Sequence, residues 1–116
     1  MSKASEFDPQ RLARSVTELL VLGMLRRGAM HGYRIAREAA ESSGGAFTVS
    51  HGTLYPVLRR LERAGLVRST IEAGEGARRR VYVLTPAGAS HLGAEGRWVR
   101  EVMSRLAHLV NGDGGA

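Results

Sequence analysis

The chain of 116 residues contains no cysteine. That excludes a disulfide framework, a thiol nucleophile and a thiolate metal site. No apolar run approaches the ~18 residues that a membrane-spanning helix needs. The opening MSKASEFD lacks the apolar core of a signal peptide, so the expectation is a cytoplasmic protein with no membrane partner. Histidine is sparse as well. His31, His51, His91 and His108 are scattered, and no two sit at i,i+4 spacing with a carboxylate between them, which argues against a metal sensor. Gly74-Glu75-Gly76 lacks the lysine and serine of a phosphate-binding P-loop, and no Ser–His arrangement stands out. The chain is therefore expected to be neither an enzyme nor a carrier of a metal or cofactor. It shows no internal repeat.

What is present is positive charge, unevenly placed. There are 17 Lys and Arg against 11 Asp and Glu, a net charge of +6. Residues 1–50 hold 7 basic and 5 acidic residues, residues 51–85 hold 7 and 3, and residues 86–116 hold 3 and 3. A local basic excess is the electrostatic footprint of phosphate binding. The length suffices for one domain with a real core and not for two.

The excess falls on a stretch with a definite pattern, VSHGTLYPVLRRLERAGLVRSTIEAGEGARRRVYVL over residues 49–84. Ser50 is a good N-cap. On a 3.6-residue wheel Leu54, Val57, Leu58 and Leu61 share one face, while Gly52, Pro56, Arg59 and Arg63 share the opposite one, with Arg60 beside them. Gly65 ends the helix. Pro56 removes one backbone donor, so a bent or loosened first turn is expected. Leu66, Val67 and Ile71, then Val81, Val83 and Leu84, give two β-prone runs. Between them lies a glycine-rich loop carrying Arg78, Arg79 and Arg80. A hairpin tip with three adjacent arginines is costly to assemble unless something anionic balances it. Helix and arginine hairpin in this order describe a recognition helix followed by a β-wing. Such wings follow the phosphate backbone or enter the minor groove. The fold class expected is mostly α with a small β-wing (α+β): a winged helix-turn-helix over residues 9–85.

The remainder frames that unit. Asp8-Pro9 is a helix start, after a flexible segment over 1–8, and the helix should run to about Arg27, stopped by Gly28. Its apolar residues lie nearly all round, as expected for a central buried helix. A second helix from His31 or Gly32, ending before Gly44, should bury Tyr33, Ile35, Ala36 and Ala39. Phe47 to Val49 could pair with the wing as a third strand. Thr85-Pro86 starts a last helix over 86–110, before a frayed tail over 111–116. In that helix Leu92, Val99 and Leu106 recur at seven residues, with Val102, Met103, Leu109 and Val110 beside them. A helix of this length cannot bury its whole stripe on so small a domain. A partner chain is the simplest cover, and folding back on its own core is the alternative.

HGYRI at 31–35, GTLYPVLRRLERAGLV at 52–67 and RRRVYVLTPAG at 78–88 resemble the PadR family of bacterial transcriptional regulators. The single terminal helix is similar to its short subfamily. The resemblance covers almost the whole chain and implies a homodimeric winged-helix repressor. In it the terminal helix, helped by the N-terminal one, forms the dimer. It also implies DNA contacts from Thr53, Tyr55 and their neighbours, from Arg78 and Arg80, and from Tyr33 of the HGY motif, whose other role is core packing. Tyr82 is expected to pack. The candidate DNA-contacting set is thus Tyr33, Ser50, His51, Thr53, Tyr55, Pro56, Arg59, Arg60, Arg63, Arg78, Arg79 and Arg80. The partner is double-stranded DNA carrying a pseudo-palindromic operator. The dimerisation set is Leu92, Val99, Val102, Met103, Leu106 and Leu109. Family members respond to planar or phenolic small molecules, which makes Trp98, the sole tryptophan, a candidate effector platform as well as an interface packing residue. A winged helix that coats chromosomes without sequence preference, or one that serves as a protein adaptor, remains the alternative function.

Overall fold

The computed structural model describes residues 8–74 and 76–112. In chain order these form α1 (Pro9–Leu25), β1 (Met30–His31), α2 (Gly32–Ser42), α3 (His51–Arg63), β2 (Val67–Gly74), β3 (Ala77–Leu84) and α4 (Pro86–Asn111). The architecture is α+β, with a three-stranded antiparallel sheet in the order β1-β3-β2. The flexible segment expected over 1–8 and the tail over 111–116 fall mostly outside the described residues. Those that are described belong to helix ends. Asp8 caps α1 by accepting from the Gln10 N–H at 3.0 Å. Asn111 is still helical, and Gly112 closes α4 at φ 71°, where glycine is the undemanding residue.

The core is contiguous. Val21, Leu22 and Leu25 of α1 and Ile35 of α2 meet Leu54, Val57, Leu58 and Leu61 of α3. Met30, Val67 and Tyr82 close it from the sheet side. Full burial of each large aliphatic side chain is worth about 1.5–3 kcal/mol over exposure. The wheel read from α3 is therefore the wheel observed: all four of its apolar positions are buried. The helix runs unbroken through Pro56. The N–H that proline lacks would have served Gly52, an exposed residue whose carbonyl water can satisfy. Its C-terminus closes through Gly65, with the Leu66 N–H donating to Leu61 O at 2.9 Å.

Three expectations are corrected. First, α1 ends at Leu25 and is not buried all round. Val16, Leu19 and Met24 are only half-buried and open onto a groove shared with α4. Second, the third strand is Met30–His31, not Phe47–Val49. Met30 pairs with Tyr82 and both side chains enter the core, whereas Phe47 is 51% exposed and its N–H is taken by Ser43 Oγ at 2.9 Å. Third, Arg78, Arg79 and Arg80 are not in a loop. They lie in β3, opposite Ala73, Glu72 and Ile71. Strand alternation therefore sends Arg79 to one face of the ribbon and its two neighbours to the other.

The first half of α4 is fastened hard. Thr85 caps it by accepting from the Gly88 N–H at 3.0 Å, and its hydroxyl donates to Gly65 O at 2.7 Å. Gly88 is buried there, and a Cβ on it would lie 2.0 Å from Leu66 O. Further along, a polar seam joins α4 to α1. Ser15, buried in α1, donates to the Glu95 carboxylate, which also accepts from Arg11 at 3.4 Å. Burial pushes the Glu95 carboxyl up, but the hydrogen bonds from Ser15 and Arg11 together with the nearby positive charge bring it below its ordinary value. The Arg11 guanidinium lies 3.7 Å from the centre of the Trp98 ring. Past Val102 the residues of α4 are exposed, and the molecule measures 61 × 34 × 23 Å.

Candidate nucleic-acid interface

One face gathers the start of α2, the first half of α3 and the arginine strand. Tyr33 was expected either in the core or near DNA. It is 58% exposed on this face. Ile35 and Ala39 supply the buried side of α2, and a residue two positions before Ile35 points elsewhere on a helix. Tyr33 is one rung of a ladder of rings. His31 and Tyr33 stack with centroids 6.5 Å apart, Tyr33 and His51 at 5.7 Å, and His51 and Tyr55 at 5.8 Å, with interplanar angles of 27°, 15° and 21°. The ladder ties the N-termini of α2 and α3 together. Tyr55 lies directly over Gly32, where a Cβ would come 3.0 Å from its hydroxyl oxygen. A side chain at 32 would therefore need the Tyr55 ring to shift by a few tenths of an ångström, while the backbone angle there is an ordinary one.

Against this ladder stands β3. Arg78, Arg79 and Arg80 are exposed and, with Arg37, line a cleft of about 440 Å³ whose other walls are His31, Tyr33 and Tyr55. Among the described residues lining it none is acidic. Arg37 Cζ sits 5.9 Å from the Tyr33 ring centre, and Arg79 Nη1 lies 3.3 Å from His31 Nε2. Arg80 is held by Ser69 Oγ at 3.0 Å, and Ser69 in turn donates to Glu62 at 2.7 Å. Tyr82, as expected, packs, and burial raises its hydroxyl above the ordinary tyrosine range.

On α3, Ser50 Oγ accepts from the Thr53 N–H at 3.3 Å. His51, Thr53, Pro56, Arg59 and Arg63 are exposed along its polar side. Arg60 diverges from them. Its guanidinium turns to α1, with Nε and Nη2 each 3.4 Å from Glu18 Oε2. Sequence reasoning missed His31, Gly32, Arg37 and Glu18. Tyr33 and Arg37 are spaced i,i+4, a signal that they share a helix face. Nothing in the sequence pairs Glu18 with Arg60.

The α4 stripe divides. Leu92 packs on the chain's own core. Val99 and Met103 border the groove against Val16, Leu19 and Met24 of α1, a space of about 680 Å³ that Phe47 also lines. Val102 is half-buried, while Leu106 and Leu109 are 49% and 77% exposed. Trp98 is half-buried beneath Arg11.

A sequence profile of the Transcriptional regulator PadR-like family matches residues 21–94, from the core of α1 to the first half of α4. The chain belongs to this family. Transcriptional regulator Rv3488 of Mycobacterium tuberculosis is 36% identical over 101 residues, covering 84% of this chain and 92% of that protein. The negative transcriptional regulator PadR of Bacillus subtilis is 33% identical over 79 residues, 66% of this chain and 43% of that longer protein. The solved structure of Bacillus subtilis PadR in complex with operator DNA superposes with a TM-score of 0.64 at 30% identity, covering 75% of this chain and 46% of that one. A PadR family regulator of Eggerthella lenta gives 0.60 at 31%, covering 91% and 85%. The chain is thus a PadR-like transcriptional regulator with a winged-helix fold, and the family's members are regulators, not enzymes.

Proposed function

We propose that the chain is a sequence-specific DNA-binding repressor that acts as a homodimer and is relieved by a small molecule. The observation that carries DNA binding is the coincidence, on one face, of the polar side of α3, a four-ring ladder and an arginine strand with no acidic side chain among the described residues of the cleft between them. Base edges are read from the first half of α3, His51 to Arg59, and phosphates are met by the wing. The likeness to a regulator solved on operator DNA supports the same reading. Such a protein works in the cytoplasm, beside the chromosome.

Dimerisation rests on the second half of α4 and the groove beside α1. Met103, Leu106, Leu109 and Val110 are exposed and apolar, and a second copy supplies matching surface through a two-fold axis. Two wings on such an axis imply a pseudo-palindrome whose half-sites lie about one helical turn, ~10 bp, or a multiple apart.

The effector reading assigns planar aromatic or phenolic molecules to Trp98. Arg11 already covers one face of that ring, so a planar cation must use the other face or displace the guanidinium. Saturable quenching of the tryptophan, accompanied by a weakening of DNA binding that Trp98→Phe abolishes, is the expected sign.

Selecting bound duplexes from a random pool tests the main claim. Inverted half-sites preferred at least ~10³-fold over random DNA at physiological salt are expected. Binding without enrichment would point to a coating protein. Binding to no duplex even at low salt would point to a protein adaptor.

A further inference from the structure

We propose that the junction of α2 with β3 seats a single phosphate group, bridged by the Nε2–H of His31 and the guanidinium of Arg79, and that its occupant is one phosphate of the DNA backbone. The identity of that occupant rests on the DNA-binding reading above. The seat itself rests on hydrogen-bond direction.

His31 is the N-cap of α2, and its Nδ1 accepts from the Arg34 N–H at 3.3 Å. A nitrogen that accepts carries no proton, so the neutral ring holds its proton on Nε2. The ring is kept neutral: burial lowers its pKa, and the charges of Arg79, Arg34 and Arg37 lower it further. Nε2–H therefore faces Arg79 Nη1 at 3.3 Å. A guanidinium only donates. Two donors directed into one space cannot bond each other, and what satisfies both is a shared acceptor.

Among the described residues no acceptor competes for that place. Arg34 is paired with Glu38 at 3.1 Å, and Glu62 is engaged by Ser69. Glu72 stands opposite Arg79 in the ladder but makes no ion pair among the described residues. The arginines around the cleft and the N-terminus of α2 add positive potential. A phosphate oxygen at this point accepts from a neutral imidazole and a charged guanidinium together, a pairing that fixes position as well as charge. The stacked rings hold His31 in place between the two reading elements, so the seat sets the register of α3 on the duplex. His31 is thus a positioning residue for base readout by α3.

The test uses His31→Asn, which keeps a strong N-cap but has no donor where Nε2 stands, and Arg79→Ala. Each is measured on the selected duplex and on a set in which one backbone phosphate at a time is replaced by a neutral methylphosphonate. Circular dichroism melting confirms that the variants fold. For the wild type, one linkage per half-site should cost about tenfold or more in affinity. Both variants should lose affinity on the native duplex yet lose nothing further at that linkage. In parallel, inorganic phosphate is titrated into the protein without DNA, and the His31 ring nitrogens are followed by NMR. A saturable shift that Arg79→Ala abolishes is expected, and it would stand even if no duplex were selectively bound. A shift accompanied by purely additive losses at every linkage would overturn the DNA phosphate as occupant. Additive losses with no shift would overturn the seat itself.

Discussion

Two regions of this molecule are left uncovered, and they differ in kind. The face built from α2, α3 and β3 is exposed but internally organised. Its rings stack on each other, Arg80 is tied through Ser69 to Glu62, and the hydroxyl end of Tyr55 packs closely over Gly32. The outer half of α4 is largely exposed, and among the described residues its side-chain polar atoms meet along the helix, as in the Arg105–Glu101 pair at 3.0 Å. The first region offers charge and direction. The second offers apolar area, from Met103, Leu106, Leu109 and Val110. Preorganised polar exposure marks recognition of a ligand with fixed geometry, and unorganised apolar exposure marks association with another protein surface. Between them, the Thr85 cap and Gly88 fix the angle at which one region is carried by the other.

The largest expected effect strikes that joint. Gly88→Ala places a methyl against Leu66 O and should destabilise the fold by about 3 kcal/mol, read as a lowered midpoint in urea unfolding. If the midpoint is unchanged, α4 is not fixed there and the two regions are independent. Next comes the apolar region. Leu106→Asp puts a charge on both sides of the proposed two-fold seam, so it should weaken the proposed dimer by at least ~100-fold, a few kcal/mol. Sedimentation at micromolar concentration should then move from dimer to monomer, with melting of the winged domain little altered. A wild type that sediments as a monomer near 12.5 kDa would remove the dimer and with it the palindromic operator.

On the polar region, Arg59→Ala should cost about 1–3 kcal/mol of discrimination between the selected site and its base-substituted variants. Arg63→Ala, nearer the far end of α3, should cost less. Competition binding on both duplex sets decides, and equal losses would remove the claim that the first half of α3 does the reading. The smallest effect concerns Arg60. An ion pair this exposed is worth about 0.2–1 kcal/mol, so Glu18→Gln should barely change stability. It should release Arg60 and slightly tighten binding to all duplexes alike. Weaker binding in Glu18→Gln would instead mean that Arg60 serves the interface through its present position.

The sequence carried the fold well where periodicity is long and punctuated. Ser50, the four buried leucine and valine positions of α3, Gly65 and the Asp8-Pro9 and Thr85-Pro86 starts are local signals, and each is found in its place. It failed where a partner is distant in sequence. Met30–His31 is too short to show alternation and becomes a strand only because Tyr82 and Val81 lie beside it. The arginines looked like a loop because strand propensity counts them as polar, whereas the ladder with Glu72 and Ala73 extends the hairpin past them. In the candidate site, residue types and order were legible. The ring ladder, the Gly32 contact and the diversion of Arg60 to Glu18 depend on three helices meeting, which no local pattern encodes. The apolar residues that lie nearly all round α1 suggest full burial, because those facing a core and those facing a groove look alike on a wheel.

The central claim is that the arginine strand and ring face is the one that meets phosphates. It is tested most directly by the salt dependence of binding to the selected duplex, as the slope of log affinity against log salt. Arg78→Ala with Arg80→Ala should weaken all duplexes similarly and flatten that slope by roughly 0.9 for each phosphate that is no longer neutralised. Leu106→Asp, measured per half-site, should leave the slope as it was. An unchanged slope in the double arginine variant would contradict the account.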